Sequence, residues 1–185
     1  MSSPEFSRIT PEFSRITPEF SRKTDVRFLP QAPLRLKASA EECAALARRF
    51  DLVAVNSLTA ELVLDKDKSA ITAIGRLKAQ IIQRCAVSAD DLPVSISEPL
   101  RLRFVPAAEH AHAEAEVELD AADCDEVAFT GTTIDLGEEL AQSLGVAIDP
   151  FLTGPGAKAA RAKAGLLDPD AAGPFAALAA LKNKG

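Results

Sequence analysis

Three long segments in which apolar and polar residues alternate set the strongest limit on how this chain folds. Leu58 to Asp65, Ser69 to Arg84 and Val94 to Val105 repeat with a period of two, the spacing at which successive side chains of a β-strand point to opposite faces. The sequence Asp-Lys-Asp-Lys at 65–68 predicts a hairpin between the first two segments. Gly75, in the middle of the second segment, predicts a bulge or a bend. We therefore predict a mainly antiparallel sheet with one face in water.

Two predicted helices flank these segments. Ser39 and Glu42 have the spacing of a capping box at the start of a helix over 39–50. Asp135 and Glu138 repeat this spacing before a second helix over 135–147, which has an apolar stripe and no nucleophile, base or metal cluster. Strands grouped apart from helices are typical of the α+β class. We predict an α+β fold with a mainly antiparallel sheet, open or barrel-like, packed against two or three helices.

The composition divides the chain into three parts. Three copies of a heptapeptide, PEFSRIT twice and PEFSRKT once, occupy 4–24, and the proline in each copy excludes a continuous helix. We predict a disordered tail over 1–17, an α+β domain over 18–152 and a flexible tail over 153–185 that ends in a short helix.

The sequence suggests an interaction for each of the two tails. The stripe Phe175, Leu178 and Leu181 predicts a short C-terminal helix that docks on the body or on a partner. In an alternative interpretation, the arginines of the repeats form a basic arm that contacts RNA; they are Arg8, Arg15 and Arg22.

Basic residues occupy the polar side of two predicted strands. Arg76 and Lys78 lie in the second segment, and Arg101 and Arg103 lie in the third. If these strands pair, the four residues form one basic surface, extended by Arg84, which can neutralise RNA phosphates. The alternative is a solvated sheet face with cross-strand charge pairs. Because the net charge of the chain is −6, an RNA contact requires a local patch of this kind.

The segment 106–126 contains eight acidic residues and no basic one, which predicts a solvated acidic loop. Such a loop can contact a basic partner protein. The candidate partner-binding residues are Glu114, Glu116, Glu118, Asp123, Asp125 and Glu126.

Two alternatives for this acidic segment involve metals. In one, a nuclease holds Mg²⁺ through Asp123, Asp125 and Glu126. In the other, His110, His112 and Glu114 bind a metal, although the pattern lacks a cysteine or a third histidine. We favour neither, and we predict no catalytic residue, no metal and no cofactor.

Other features indicate a soluble cytoplasmic protein. Cys43, Cys85 and Cys124 are isolated, which favours a reducing compartment. The sequence shows no secretory signal and no apolar run long enough to span a membrane.

Several motifs together resemble those of the YceD family, the large ribosomal RNA subunit accumulation proteins of bacteria and chloroplasts. The most specific are DEV at 125–127, GTTIDLGEEL at 131–140 and DPF at 149–151, followed by QRC at 83–85. They occur in order with PEFSRKTDVRFLPQAPLRLKASAEECAALARRFDL, AIGRLKAQIIQRCAVSADDLPVSISEPLRLRF and the C-terminal GPFAALAALK, so the resemblance covers 18–184.

The resemblance implies a role in the accumulation or processing of large-subunit (23S) ribosomal RNA, by binding of its precursor or of an assembly intermediate. It does not imply catalysis. An alternative in the same pathway is a protein-interaction adaptor that contacts a basic ribosomal protein or an assembly factor through the acidic segment. Many relatives carry a CxxC-like pair where this chain has Ile82-Gln83-Arg84-Cys85, so we carry no metal site over from the family.

Overall fold

The fold is built around long β-strands in a computed structural model that describes residues 18–110 and 125–165. The strands are β1 (Lys23–Asp25), β2 (Leu34–Lys37), β3 (Ala54–Asp67), β4 (Ala70–Arg84), β5 (Asp91–Pro106), β6 (Asp125–Phe129) and β7 (Thr133–Asp135). The helices are α1 (Ala40–Arg49), the single turn α2 (Ala107–His110), α3 (Leu136–Ala147) and α4 (Ala157–Lys163).

The main sheet has the strand order β2-β3-β4-β5-β6, and β1 pairs with β7 in a separate ribbon. Neighbouring strands are antiparallel except β5 and β6, which are parallel. The three predicted strand segments are β3, β4 and β5, and the predicted α+β class is confirmed. The barrel-like alternative is wrong for the described residues, because no pairing there joins β2 to β6.

The two faces of the main sheet have opposite character. One face is apolar and packs against α1 and α3, with side chains from strands and helices in a single core. Fully buried side chains of this core include Leu58, Leu62, Leu77, Leu46 and Leu140. Burial of each such leucine contributes roughly 2–3 kcal/mol relative to its exposure. The other face carries the polar residues of the alternating pattern, so it is open to solvent.

Asp135 connects α3 to the N-terminal part of the fold. As predicted, it is the N-cap residue, and its carboxylate accepts hydrogen bonds from the backbone N–H groups of Gly137 and Glu138 at 3.1 and 3.3 Å. It also accepts from the Arg22 backbone N–H at 2.7 Å and from the Ser21 hydroxyl at 2.5 Å. One carboxylate therefore caps a helix and fixes the strand that leads into the domain.

We expect Asp135→Ala to lower the free energy of unfolding by about 2 kcal/mol, since it removes a helix cap and two hydrogen bonds to the lead-in strand. Asp135→Asn retains an acceptor oxygen, so its loss should be about half as large. Urea denaturation followed by circular dichroism measures both values. Equal losses for the two variants would contradict the proposed role of the acceptor oxygen.

The capping-box prediction holds for α1 but is wrong for α3. In α1, the Ser39 hydroxyl accepts from the Glu42 N–H, and the Glu42 carboxylate accepts from the Ser39 N–H. In α3, Glu138 instead accepts two hydrogen bonds from the Arg49 guanidinium, at 2.8 and 2.9 Å. A bidentate charged pair is stronger than a single bond to a neutral N–H, so Arg49 displaces the capping contact.

The third heptapeptide copy is part of the folded body. Phe20 is 1% exposed, and the Arg22 guanidinium donates to both Glu42 carboxylate oxygens at 2.6 and 2.8 Å. This pairing raises the pKa of Arg22 and lowers that of Glu42. Arg22 is thus engaged in the fold, so the basic-arm interpretation is wrong for this residue. The rest of that interpretation (Arg8 and Arg15), with the tail at 1–17, lies outside the described residues.

The chain after α3 returns to the sheet. The Ala86 N–H donates to the Leu152 carbonyl oxygen, and the Gly154 N–H donates to the Cys85 sulfur. Ala157, the first residue of α4, is buried. The predicted stripe of Phe175, Leu178 and Leu181 lies outside the described residues. Over the described part of the chain, the helices are too short or too polar to cross a membrane.

Candidate nucleic-acid interface

The pairing of β4 with β5 brings four of the predicted basic residues onto one exposed face. The register places Ile74 opposite Arg101 and Thr72 opposite Arg103, with Arg76 and Lys78 in the next two rows. Cross-strand partners share a face, so the four side chains leave the sheet on the same side. All four are exposed, and they occupy four successive rows spanning about 20 Å at 3.3 Å per residue.

Arg84 lies on this same face but outside the group. It is six residues from Lys78 along β4, a separation of about 20 Å, and its cross-strand partner is Asp91. Arg84 therefore does not extend the surface as predicted. It is a separate charge at the far end of the sheet.

Two further basic residues join the surface from β2. Arg35 is aligned with Glu61 of β3, which is aligned with Arg76 of β4, and Lys37 is aligned in the same way through Thr59 with Lys78. We use the name basic face for the exposed side chains Arg35, Lys37, Arg76, Lys78, Arg101 and Arg103. The surface predicted from the sequence did not include Arg35 and Lys37.

A groove of about 760 Å³ crosses the basic face at β2, β3 and β4. Four of the basic residues line it, and Glu61 is its acidic member. Its apolar lining includes Val63 and Ile74, which are 52% and 47% exposed. The groove combines cationic walls with a partly apolar floor.

Ion pairs neutralise part of the basic face. Arg35 lies 3.2 Å from the Glu61 carboxylate, and Arg103 lies 3.5 Å from that of Glu126. Among described residues, no ion pair engages Lys78 or Arg101. Among the five predicted positions, Arg103 thus forms the cross-strand charge pair that the solvated-face alternative describes. Exposed pairs of this kind contribute at most about 1 kcal/mol, so a phosphate can compete for their cations.

The described parts of the acidic segment are regular structure, so its assignment to a loop is wrong there: Pro106 ends β5, 107–110 form α2, and Asp125 and Glu126 begin β6. The parallel register places Glu126 beside Arg103 on the basic face and Asp125 beside Leu102 on the helix-covered face. The other candidate partner-binding residues, Glu114, Glu116, Glu118 and Asp123, lie outside the described residues.

The metal alternatives gain no support from the described part of the chain. Adjacent strand residues point to opposite faces, so Asp125 and Glu126 do not direct their carboxylates at one Mg²⁺. No three His, Cys, Asp or Glu side chains converge on a metal-binding position within 18–110 and 125–165. The histidine alternative with His112 and Glu114 falls outside these ranges.

Cys43 and Cys85 are both buried but differ in their surroundings. Burial raises the pKa of the Cys43 thiol. Hydrogen bonds from the Ser88 hydroxyl and from the backbone N–H groups of Gly154 and Ser88 lower the pKa of Cys85 to about 6. The Cys85 sulfur thereby joins the loop after β4 to the segment after α3, a structural role.

Comparisons with protein-family models, curated proteins and solved structures find no match to this chain. The resemblance to the YceD family therefore rests on the sequence motifs, and the basic face rests on the strand register.

Proposed function

We propose that the chain is a non-enzymatic factor in large ribosomal subunit biogenesis that binds 23S ribosomal RNA or its precursor through the basic face. The observation that carries the proposal is the collection of six cationic side chains on one open side of the sheet, in a chain whose net charge is −6. The same rows also carry three carboxylates, those of Glu61, Asp65 and Glu126. Six cations against three anions leave a net positive charge, so this part of the sheet has a local positive field that the total charge does not reveal.

The chemistry of the basic face favours phosphate recognition over base recognition. Its exposed positions on β2 to β5 are basic, hydroxyl, amide, aliphatic, proline or acidic residues, and none is aromatic. Without aromatic rings to stack bases, affinity comes from neutralised phosphates. The choice of ribosomal RNA comes from the motif resemblance, which also supports a role without catalysis. Because ribosomes assemble in the cytoplasm of bacteria, the proposal includes a cytoplasmic location.

The salt dependence of binding tests the electrostatic part of the proposal. With four or five phosphates neutralised, the logarithm of the association constant should fall with the logarithm of salt concentration at a slope of about −4. Affinity for a duplex fragment of large-subunit RNA would then drop about 250-fold between 50 and 200 mM salt. Fluorescence anisotropy measures the slope directly.

A duplex DNA of equal length serves as the comparison for RNA preference. A slope near zero for the RNA fragment, or no binding at 50 mM salt, would contradict recognition by the basic face.

A further inference from the structure

A second groove, of about 730 Å³, lies between α3 and the strands β5 and β6. Its acidic lining includes Glu98, Asp125 and Glu139. Glu98 and Asp125 belong to the helix-covered face, because their aligned partners Leu77 and Leu102 are core residues. Arg101 of the basic face and Glu126, which is paired with Arg103, also border this groove. We call it the acidic groove.

The acidic groove also has an apolar lining, part of which comes from α3. Val146 of α3 is 89% exposed, and Val127, Leu100 and Ala147 line the groove beside it. The α3 residues in the lining are 139, 142, 143, 146 and 147, which recur at spacings of three and four. One side of α3 therefore faces the groove instead of the core, and it exposes a large apolar side chain next to carboxylates.

Glu139 lies in an unfavourable position for an isolated carboxylate. Partial burial, together with the negative charges of Glu138 and Asp135, raises its pKa. A cation placed next to Glu139 would stabilise its charged form. The electrostatics of the groove thus agree with its lining in favouring a positively charged occupant.

We propose that the acidic groove binds a basic amphipathic helix of a partner protein. Charge complementarity selects cationic residues for the rim, and the apolar lining selects one apolar side of the helix. RNA is a poor occupant, because the three carboxylates repel phosphates.

Strand addition is also disfavoured as a binding mode. Within the described residues, β6 pairs only with Leu102–Pro106, so the rest of that edge of β5 is without a strand neighbour. Pro93 and Pro99 lie in this stretch of β5 and supply no N–H donors, which weakens a pairing edge. A helix that lies in the groove needs no such donors.

The test uses the full chain and a fluorescein-labelled helical peptide of leucine and lysine, in which leucines form one face. The same peptide with glutamate in place of lysine is the probe control. We expect the lysine peptide to bind and the glutamate peptide to bind at least tenfold more weakly, as measured by anisotropy.

Two variants remove separate features of the groove. Glu98→Gln with Glu139→Gln should weaken peptide binding about fivefold, because it removes one exposed and one half-buried charge contact. Val146→Ser, which changes no charge, should weaken it about threefold through lost apolar contact. Glu41→Gln with Asp67→Asn makes the same charge change elsewhere on the chain and should leave the affinity unchanged.

Equal affinities for the Glu98/Glu139 variant and the Glu41/Asp67 variant would overturn the proposal, because peptide binding would then depend on total charge alone. Backbone amide shifts on titration with the peptide provide a second criterion. They should concentrate at 139–147 and 98–102, and shifts confined to other parts of the chain would also overturn it. RNA binding by the basic face is measured separately, so either proposal can fail without the other.

Discussion

Replacing Arg76, Lys78, Arg101 and Arg103 by glutamate is expected to weaken binding to large-subunit RNA by at least about 100-fold at 100 mM salt. Four phosphate contacts are lost, and four negative charges are placed where phosphates would lie. All four side chains are exposed, and only Arg103 forms an ion pair with a described residue, so the fold should tolerate the change. Anisotropy with the duplex RNA fragment measures the affinity, and circular dichroism verifies folding.

A matched variant separates the basic face from the total charge. Glutamate at Lys23, Arg48, Lys158 and Lys163 gives the same net charge, but these residues lie on β1, α1 and α4. Because exposed charges more than about 10 Å apart are largely screened at this salt concentration, we expect less than a threefold loss. If both variants lose affinity equally, RNA binding depends on total charge and the proposed interface is wrong.

Glutamine at the same four positions is a second variant, which tests the site even if the glutamate variant is destabilised. Arg76 is the cross-strand partner of Glu61, and two facing carboxylates there could cost up to about 1 kcal/mol. Glutamine removes the positive charges without this repulsion. We expect an intermediate loss of RNA affinity, and unchanged affinity in the folded glutamine variant would exclude the basic face as the site.

The composition of the basic face was predictable only in part. Alternation within one strand shows which residues share a side, so Arg76 with Lys78 and Arg101 with Arg103 followed directly from the sequence. That β4 pairs with β5 was a short step, since antiparallel neighbours in sequence are often neighbours in space. The contribution of Lys37 required the order of strands, because β2 is four residues long and is separated from β3 by α1.

Contacts between distant parts of the chain account for most of the wrong or missed predictions. The local signal at Asp135 identified a helix cap, but its bonds to Ser21 and Arg22 join residues more than 110 positions apart. The strand β7 is three residues long and exists because β1 pairs with it. Glu138 has the spacing from Asp135 that a capping box requires, but its carboxylate pairs with Arg49 of another helix instead.

Gly75 shows the same limit in a single residue. The sequence predicts a bulge or a bend there, but the register of β4 continues through Gly75 on both sides, opposite Leu62 and Leu100. The irregularity in β3 lies instead between Val55 and Ser57. What requires glycine is close approach of the neighbouring strand, because a Cβ on Gly75 would overlap the backbone carbonyl of Glu61.

We expect Gly75→Ala to lower the free energy of unfolding by about 3 kcal/mol or more, at the upper end of the cost of overpacking. The obstacle is backbone, so β3 and β4 must move apart where they form the floor of the groove on the basic face. Urea denaturation gives the free energy, and the melting temperature should fall by roughly 10 °C.

Gly131→Ala is the comparison that identifies the cause. Gly131 has a φ of +75°, and no atom lies within 4 Å of the position its Cβ would take. Alanine at this position adopts a strained backbone conformation without a steric clash, which should lower the free energy of unfolding by about 1 kcal/mol. If Gly75 were instead required for a bulge, the cost of Gly75→Ala would come from backbone conformation and would be close to that of Gly131→Ala. Similar losses for the two variants would therefore contradict the close-approach explanation, and a difference of about 2 kcal/mol or more would support it.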